Sequence, residues 1–518
     1  MNNKMDTSIT GASLIVVIFA LLSRGLGFFR EIIFASTFGL GKEFDLYLIG
    51  AVLPLTVHTI FLYIGQNFYI PVYHNITRKI PAEKNRILTP VIIIFFIIGL
   101  ITTAILYAGS GNFIDAYISG QSSSDIILTK NIFRIILISV PFSAVNSILI
   151  AHLQANFKFS IPAISTLFLN LTVIIFVLLL SGYYGIYSIA IGFVTGVFFQ
   201  LLFLLFKSRI KLFFNKFKKY WELVWDTEIT KGIFLIIVIE TVGQFYQLAD
   251  RYFLSFVDSG GISALSYAQN FYLMFVSLFS ITLTTVLFPR LTKSLSENKS
   301  EELQDSVLKG LKTNILVFTL IFSLMYFYSE ELINLIYQRG NFSYKDTLTT
   351  ATVLKYYSVS IVFYSSYSLL NKLIYAKKMY LALLGITITG ILLKVLMNFI
   401  FVGQLKQNGL ALSTSLAYIF FFLGSLFVTL KNIIDLDLRF FINEFFFYII
   451  NAVVSFIITG LIFSLLSFPE VILNILGPLI YLGVFCSNLS LIRNKTYVFL
   501  EKNILALIRY NMNRKEHG

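Results

Sequence analysis

The sequence has very little of the chemistry on which enzymes and metalloproteins depend. It contains one cysteine, Cys486, inside a hydrophobic stretch, which excludes a disulfide framework and a cysteine-based metal site. The four histidines are scattered, so we expect no zinc cluster. No Walker A sequence, nucleotide-binding fingerprint or Ser-His-Asp arrangement occurs, which argues against direct ATP drive and catalysis. We predict a protein that is not an enzyme and that uses no cofactor or metal.

Charged residues are also scarce. They make up 13% of the chain, whereas hydrophobic residues make up 57% and the mean hydropathy is +0.82. A soluble protein could not bury so large a share of apolar side chains. The formal net charge is +14, but the lysines and arginines lie in short loops between apolar runs. We therefore expect a membrane protein, without a nucleic-acid partner.

Long apolar runs fill most of the 518 residues. A helix needs about 20 mainly apolar residues to cross the hydrocarbon core, and by that measure the sequence predicts an all-α protein with about fourteen transmembrane helices. They lie near residues 8–38, 44–73, 87–108, 131–153, 161–181, 184–206, 231–257, 262–288, 311–328, 348–375, 379–403, 408–430, 441–466 and 470–492. The N-terminus lacks a small-residue cleavage site after an apolar region, so we expect the first span to be retained.

The basic residues predict the orientation of these spans. With the N-terminus inside, 28 of the 40 lysines and arginines fall in inside segments, five in outside segments and seven within spans. Cytoplasmic segments of membrane proteins carry such an excess of positive charge. We therefore expect both termini in the cytoplasm and an even number of spans.

An internal repeat organises the predicted spans. The segments after Asn146 and Ser366 resemble each other at an offset of about 220 residues, which corresponds to six spans. An even offset relates two six-helix lobes by an axis along the membrane normal, and a central cavity between such lobes suits alternating access. The expected parts are an N-terminal lobe (1–206), a basic cytoplasmic linker (207–230), a C-terminal lobe (231–430), two additional transmembrane helices (439–492) and a basic cytoplasmic tail (493–518).

The first predicted span carries Arg24 and Arg30, at a depth where a guanidinium costs from about 2.5 to more than 10 kcal/mol. Such a charge is kept where it meets an anion in a water-filled cavity, and the planar guanidinium suits phosphate. On a regular helix the two side chains point about 120° apart, unless Gly25 and Gly27 distort it. We expect both arginines to bind an anionic substrate. The alternative is that Arg30 pairs locally with Glu31 or another acid as a structural bridge.

Four further titratable residues within the spans are candidates. Asp45 opens the second span, where an acid is also favoured by the helix dipole alone. His58 lies mid-span and could titrate near neutrality, although such a histidine is more often hydrogen-bonded between helices. Asp250 and Lys394 lie at matched depth and could form an ion pair or an ion-coupling position, with Arg251 as a rival partner for Asp250.

Several motifs identify a family resemblance. The run SRGLGFFREIIFASTFG followed by Asp45, the run GGISALSYAQNFYLMFVSLFSITLTTVLFPRLTKSLSE, and the shorter LINLIYQRGNF and NGLALSTSLAYIF resemble the MurJ (MviN) lipid II flippases of the MOP exporter superfamily. The resemblance implies transfer of an undecaprenyl-pyrophosphate-linked saccharide from the cytoplasmic to the periplasmic leaflet. It also implies that Arg24 and Arg30 match cavity arginines that bind the pyrophosphate, and that Asp45 matches a family acid.

The chain also departs from the family pattern. A basic pair usually follows the Leu-Pro of the second span, where this sequence has His58 nearby, and the usual Tyr-Ala-Asp-Arg of the eighth span ends here in Asn270. We keep His58 and Asn270 as candidate substrate contacts. Where relatives have a sodium site, the matching positions are Asp250, Lys394 and Asn398, and a lysine there would replace the ion with a tethered charge.

The resemblance implies a flippase of the bacterial cytoplasmic (inner) membrane. Its expected partners are a lipid-linked oligosaccharide substrate, membrane lipids and proteins of cell-wall or polysaccharide synthesis. Family membership favours peptidoglycan lipid II, whereas the missing cations favour a surface-polysaccharide repeat unit. A multidrug exporter of the same superfamily is a further alternative, although cavity arginines would repel cationic drugs. The last alternative is a scaffold protein that recruits synthases and does not itself transport a substrate.

Overall fold

The computed structural model describes residues 22–80, 86–118, 121–208, 237–239, 241–244, 246, 250, 252–297, 299–436, 439–466, 470–498 and 501. The described residues are helical and contain no strand, so the predicted all-α class is confirmed. The start of the first predicted span, most of the basic linker, most of the seventh predicted span and the tail beyond residue 501 lie outside them.

The helices are numbered here in chain order. They are α1 (22–38), α2 (Lys42–Ile64), α3 (Ile70–Lys79), α4 (Leu88–Ala108), α5 (Ser110–Tyr117), α6 (Ser123–Leu137), α7 (Val140–Ala155), α8 (Ser160–Tyr184), α9 (Tyr187–Ser208), α10 (Gly261–Ser296), α11 (Ser300–Phe327), α12 (Ser329–Tyr337), α13 (Tyr344–Ser358), α14 (Ile361–Ala376), α15 (Tyr380–Asn432), α16 (Arg439–Leu466) and α17 (Glu470–Leu491). A π-helical turn, Gly65–Tyr69, joins α2 to α3, and a short 3-10 helix covers Phe253–Phe256.

Eight helical segments among the described residues are long and apolar enough to cross a membrane. One of them, α15, is 53 residues long but contains Lys406 at φ 50° and ψ −127°, which interrupts the helix. The interruption falls between the predicted spans 379–403 and 408–430. The total of fourteen spans stays a prediction.

The backbone repeats at an offset of 221 residues. Both ends of α6 and α13 differ by this number (123 to 344 and 137 to 358), and both ends of α7 and α14 do so as well (140 to 361 and 155 to 376). Residues with positive φ recur at the same offset, at Phe157 and Lys378 and again at Gly185 and Lys406. The segments that look alike in sequence therefore also share local backbone geometry, down to single residues.

The described residues divide into two compact units. The N-terminal unit contains the described residues up to Tyr267 together with Arg339–Ser343, and the C-terminal unit contains Ala268–Gln338 and the described residues from Tyr344 onward. Each unit has its own apolar core, with Phe61, Phe133 and Ile148 in the first and Leu316, Leu370 and Phe485 in the second.

Large apolar side chains also cover the outside of these helices. Leu179 on α8 is 67% exposed and Phe446 on α16 is 59% exposed. Contiguous exposed apolar surface is rare on soluble monomers, and helices suit lipid because they satisfy their own backbone hydrogen bonds. The surface therefore fits a hydrocarbon environment.

The π-helical turn Gly65–Tyr69 places Tyr69 against α7. The Tyr69 hydroxyl lies 2.9 Å from Nδ1 of His152, and one turn later the Tyr73 hydroxyl donates to Oδ1 of Asn156 at 2.8 Å. Tyr69 is fully buried and His152 is 9% exposed. These bonds satisfy polar groups that would otherwise be costly inside a membrane protein.

Candidate substrate-binding site

Arg30 on α1 forms an ion pair with the next residue, Glu31. The Nη2 and Nε atoms of Arg30 lie 2.6 and 3.2 Å from Oε1 of Glu31. The two side chains are 26% and 10% exposed, so the pair is largely removed from solvent. A guanidinium in such surroundings needs a nearby anion. The local bridge considered from the sequence is therefore present.

Arg30 has a second partner on another helix. Its Nη1 donates to Oδ1 of Asn170 on α8 at 3.0 Å, and its Cζ lies 5.5 Å from the ring centroid of Phe34. A guanidinium has five N–H groups, and the bonds to Glu31 and Asn170 engage one on Nε and one on each Nη. Among the described residues, one N–H on each Nη is left to bind an anion.

Arg24 lies six residues before Arg30 on α1, about one and two-thirds turns, and is exposed. The described part of α1 is continuous α-helix, so Gly25 and Gly27 do not break it. Six residues on such a helix separate two side chains by about 9 Å along the axis and about 120° around it. The two arginines therefore present two separate positive groups rather than one patch.

Asp45 on α2 is 5% exposed and caps the start of α10. Its Oδ2 accepts a hydrogen bond from the backbone N–H of Gly260 at 2.5 Å, and its Oδ1 accepts from the N–H of Ser263 at 2.7 Å and from the Ser263 hydroxyl. The first N–H groups of a helix have no partner within the helix, and a carboxylate there also complements the helix dipole.

Gly260 fits this position for a steric reason. It has φ +84°, a conformation that glycine adopts readily. A Cβ atom at this position would lie 2.6 Å from the backbone oxygen of Leu40. Glycine is therefore required both for the backbone turn into α10 and for the close approach of the chain to the end of α1.

The C-terminal end of α1 is also capped, by Asn341. The Asn341 backbone N–H donates to the Ser36 carbonyl at 2.8 Å, and its Nδ2 donates to the Thr37 carbonyl at 2.6 Å. These are among the last carbonyls of α1, which have no partner within the helix. Phe342 is 2% exposed and packs edge-on against Tyr267, at 5.8 Å between ring centroids. Two helix ends in the N-terminal unit are therefore closed by polar groups from elsewhere in that unit.

His58 on α2 is half-buried. Its ring lies edge-on to Phe193 of α9, at 5.8 Å between centroids, and its Nδ1 is buried without a hydrogen-bond partner among the described residues. Its Nδ1 therefore forms no hydrogen bond to another helix in the described part of the chain. Its role as a substrate contact stays a prediction.

The remaining candidates are divided between the two units. Asp250 is half-buried in the N-terminal unit, and Asn270 is half-buried on α10 in the C-terminal unit. Lys394 and Asn398, one turn apart on α15, are 1% and 0% exposed. Burial of a lysine to this degree is rare in proteins and marks a position of interest. Pairing of Asp250 with Lys394 stays a prediction.

The fold and the intramembrane charges define the class of the protein. It is a helical, multi-pass membrane protein with the architecture of a transporter. A solved structure described as "Lipid II flippase MurJ, inward closed conformation" is similar over 93% of this chain and 99% of its own, with TM-score 0.77 and 27% identity. A multidrug MATE transporter of the MOP superfamily shares the fold at TM-score 0.65 and 14% identity, over 81% of this chain and 97% of its own.

The sequence comparisons identify the family. The model of the family "Lipid II flippase MurJ" matches residues 34–476. The lipid II flippase MurJ of Thermosipho africanus is 30% identical over 90% of this chain and 98% of its own length. The probable lipid II flippase MurJ of Borreliella burgdorferi is 24% identical over 82% of this chain and 84% of its own. The chain belongs to the lipid II flippase MurJ family, a family of membrane transporters, and the expected resemblance is confirmed.

Two features of the site were missed at the sequence level. Asn170 was not singled out, although a lone asparagine in the apolar span 161–181 is itself a signal, because polar residues in membrane helices bind other helices or ligands. No sequence feature marks Gly260 and Ser263 as the partners of Asp45. They follow Asp45 by more than 200 residues, and only the fold brings them together.

Proposed function

We propose that this chain moves lipid II, an undecaprenyl-pyrophosphate-linked saccharide, from the cytoplasmic to the periplasmic leaflet by alternating access. The observation that carries the proposal is the Arg30 guanidinium, which is fixed in direction by Glu31 and Asn170 yet, among the described residues, keeps one unengaged N–H on each Nη. The two Nη groups of a planar guanidinium form a fork, and a fork held in a fixed direction suits the oxygens of a phosphate.

Arg24 supplies the second positive group. It lies about 9 Å from Arg30 along the helix axis, so a pyrophosphate that moves along α1 can be passed from one guanidinium to the other. An exposed arginine on a membrane helix is costly unless it faces water or an anion. In this proposal Arg24 meets the pyrophosphate first and Arg30 holds it deeper in the membrane.

The excess of basic residues in the inside segments supports cytoplasmic termini, in a bacterial inner membrane. In that orientation the caps at Asp45 and Asn341 lie at the periplasmic ends of their helices. Both caps are formed in this structure. Membrane lipids and proteins of cell-wall synthesis are the partners we propose.

The test is complementation in a strain depleted of its own flippase, with accumulated lipid II measured alongside. We expect Arg24→Ala and Arg30→Ala to abolish growth and to slow flipping about tenfold or more, the effect of losing a charge-assisted hydrogen bond. Arg78→Ala, at an exposed arginine at the end of α3, serves as the control. Normal growth of the Arg24→Ala and Arg30→Ala strains at wild-type expression would refute the proposal.

The same assay separates lipid II from other cargo. Family membership favours lipid II over the surface-polysaccharide unit and the multidrug alternative. A chain that restores export of a surface polysaccharide but does not relieve lipid II accumulation would overturn the proposed cargo. A scaffold would tolerate Arg24→Ala, whereas a flippase would not.

A further inference from the structure

We propose that Asn170 is a positioning residue for the pyrophosphate, holding the Arg30 fork in place and offering its own amide N–H groups beside it. The inference rests on the proposed function, because it assigns to Asn170 a part in binding that substrate. Asn170 is 5% exposed on α8 and reaches Arg30 across the interface with α1.

The direction of the Asn170 amide follows from the chemistry of its partner. A guanidinium has only N–H donors and no acceptor, so Asn170 must present its Oδ1 to Arg30, and Nδ2 points away from it. The bond of 3.0 Å agrees with that assignment. Nδ2 has two hydrogens and is therefore a donor pair adjacent to the positive charge of Arg30.

Gly27 leaves room beside this amide. A Cβ atom placed on Gly27 would lie 3.7 Å from Nδ2 and 4.0 Å from Oδ1 of Asn170, which is van der Waals contact. No side chain of Gly27 covers the amide, so an incoming oxygen can approach it from α1. The N–H groups of Arg30 and Asn170 form a set of donors, and the gap at Gly27 lies beside them. Such a set suits an oxyanion rather than a cation.

Glu31 and Asn170 accept hydrogen bonds from different nitrogen atoms of Arg30. Glu31 engages Nε and Nη2 and partly offsets the positive charge, whereas Asn170 engages Nη1 without adding negative charge. A second carboxylate in place of Asn170 would satisfy Arg30 equally well but would repel an anion. The neutral amide therefore fixes the fork while keeping the site attractive to pyrophosphate.

Asn170→Asp separates this role from a purely structural one. Aspartate is nearly isosteric and still accepts from Nη1 of Arg30, so a structural role predicts unchanged stability and unchanged binding. Our proposal predicts unchanged stability but loss of binding, since the variant removes two donors and adds a negative charge. Thr172→Val on the same helix is the matched control, because the Thr172 hydroxyl donates only to the carbonyl of Phe168 in its own helix.

The experiment measures binding and transport by the purified full chain. Geranyl pyrophosphate is the probe and geraniol is its uncharged control, and lipid II flipping in proteoliposomes gives KM and the maximal rate. We expect Asn170→Asp to weaken geranyl pyrophosphate binding about tenfold or more and to raise KM, with an unchanged melting temperature. We expect Asn170→Ala to have a smaller effect and Thr172→Val to have none.

Each outcome bears on the proposal. Wild-type binding and KM in Asn170→Asp would overturn the inference, while leaving the flippase proposal intact if the wild-type protein flips lipid II. A wild-type chain that binds geranyl pyrophosphate no better than geraniol would overturn both. If Asn170→Asp fails to fold, Gly27→Ala gives the decision: its methyl group would lie 3.7 Å from Nδ2, and we expect it to obstruct the approach of an oxygen and weaken pyrophosphate binding without lowering the melting temperature, whereas wild-type binding in Gly27→Ala would overturn the inference.

Discussion

The carboxylate of Asp45 on α2 accepts hydrogen bonds from both the backbone N–H and the hydroxyl of Ser263 near the start of α10. A helix normally receives its N-terminal cap from a residue directly before it, but here the cap comes from a residue more than 200 positions earlier. The start of α10 is thereby held to the start of α2.

Asp45→Asn should weaken this cap. Asparagine retains one acceptor oxygen but turns its NH₂ group toward a backbone N–H, so we expect a loss of about 1–3 kcal/mol of stability, the cost of a buried donor left without its acceptor. Hydrogen exchange at the Gly260 and Ser263 amides should become faster. Glu43→Gln, an exposed acid in the same turn of α2, should change neither. Unchanged exchange at these amides in Asp45→Asn would show that the cap contributes nothing.

The buried positive charge of Lys394 leads us to expect transport that does not depend on sodium. The family resemblance implies that Lys394 matches a position of the sodium site found in some relatives, and it is 1% exposed with Asn398 one turn away. A fixed lysine charge leaves no place for a second cation, since like charges repel strongly at low dielectric. We expect lipid II flipping in proteoliposomes to be equally fast in sodium and choline buffers. A rate that falls severalfold without sodium would contradict this.

Gly65 is expected to resist substitution. It opens the π-helical turn, and a Cβ there would lie 2.8 Å from the backbone oxygen of Ser147 on α7. Gly65→Ala should therefore force α2 and α7 apart and lower stability by about 1–3 kcal/mol, as a lower melting temperature. Gly182→Ala on α8, where an added Cβ would meet no described atom beyond its own stretch of helix within 4 Å, should instead be neutral or stabilising by up to about 1 kcal/mol. Equal effects of the two substitutions would show that the contact with Ser147 has no energetic consequence.

Glu331 on the short helix α12 should make stability depend on pH. Burial raises the pKa of its carboxyl above the ordinary 4.5, and Glu330 acts in the same direction, while a backbone hydrogen bond and Lys355 oppose them. A raised pKa means that the folded state favours the protonated form. The stability it contributes is therefore fully present below pH 4.5 and is lost as the pH rises through the raised value.

Glu331→Gln removes the cost of ionising this carboxyl. We expect the variant to melt at a higher temperature than wild type at pH 7, with the difference vanishing as the pH approaches 4. Glu301→Gln, at an exposed acid in the first turn of α11, controls for the loss of one negative charge. A difference that is constant from pH 4 to 8, or one that grows toward low pH, would contradict the assignment.

Much of the fold could be predicted because membrane helices are local structures. The length and apolarity of a segment decide whether it spans, and the basic residues beside it predict its orientation. The repeat was also visible in the sequence, since Asn146 and Ser366 begin segments of similar pattern. The structure then gave the offset as 221 residues, through residues such as Phe157 and Lys378 that share a left-handed backbone.

The candidate site was only partly predictable. Arg24 and Arg30 could be found because a charge in an apolar helix is expensive wherever it points. The pair formed by Arg30 and Glu31 was an open alternative, since neighbours on a helix can reach each other or turn apart. Asn170 could have been suspected as a lone amide in an apolar span, but its hydrogen bond to Arg30 could not have been predicted.

The sequence by itself determined the class of this protein, its apolar helices, its repeat and the charges placed within them, because each of these depends on residues close together in the chain. Only the tertiary structure decided the partners: Asn170 for Arg30, Ser263 for Asp45 and Asn341 for the end of α1. A hydrogen bond depends on distances of about 3 Å, and helices far apart in sequence reach that distance only through packing. The sequence specifies which polar and charged groups need hydrogen-bond partners, and the fold brings those partners within reach.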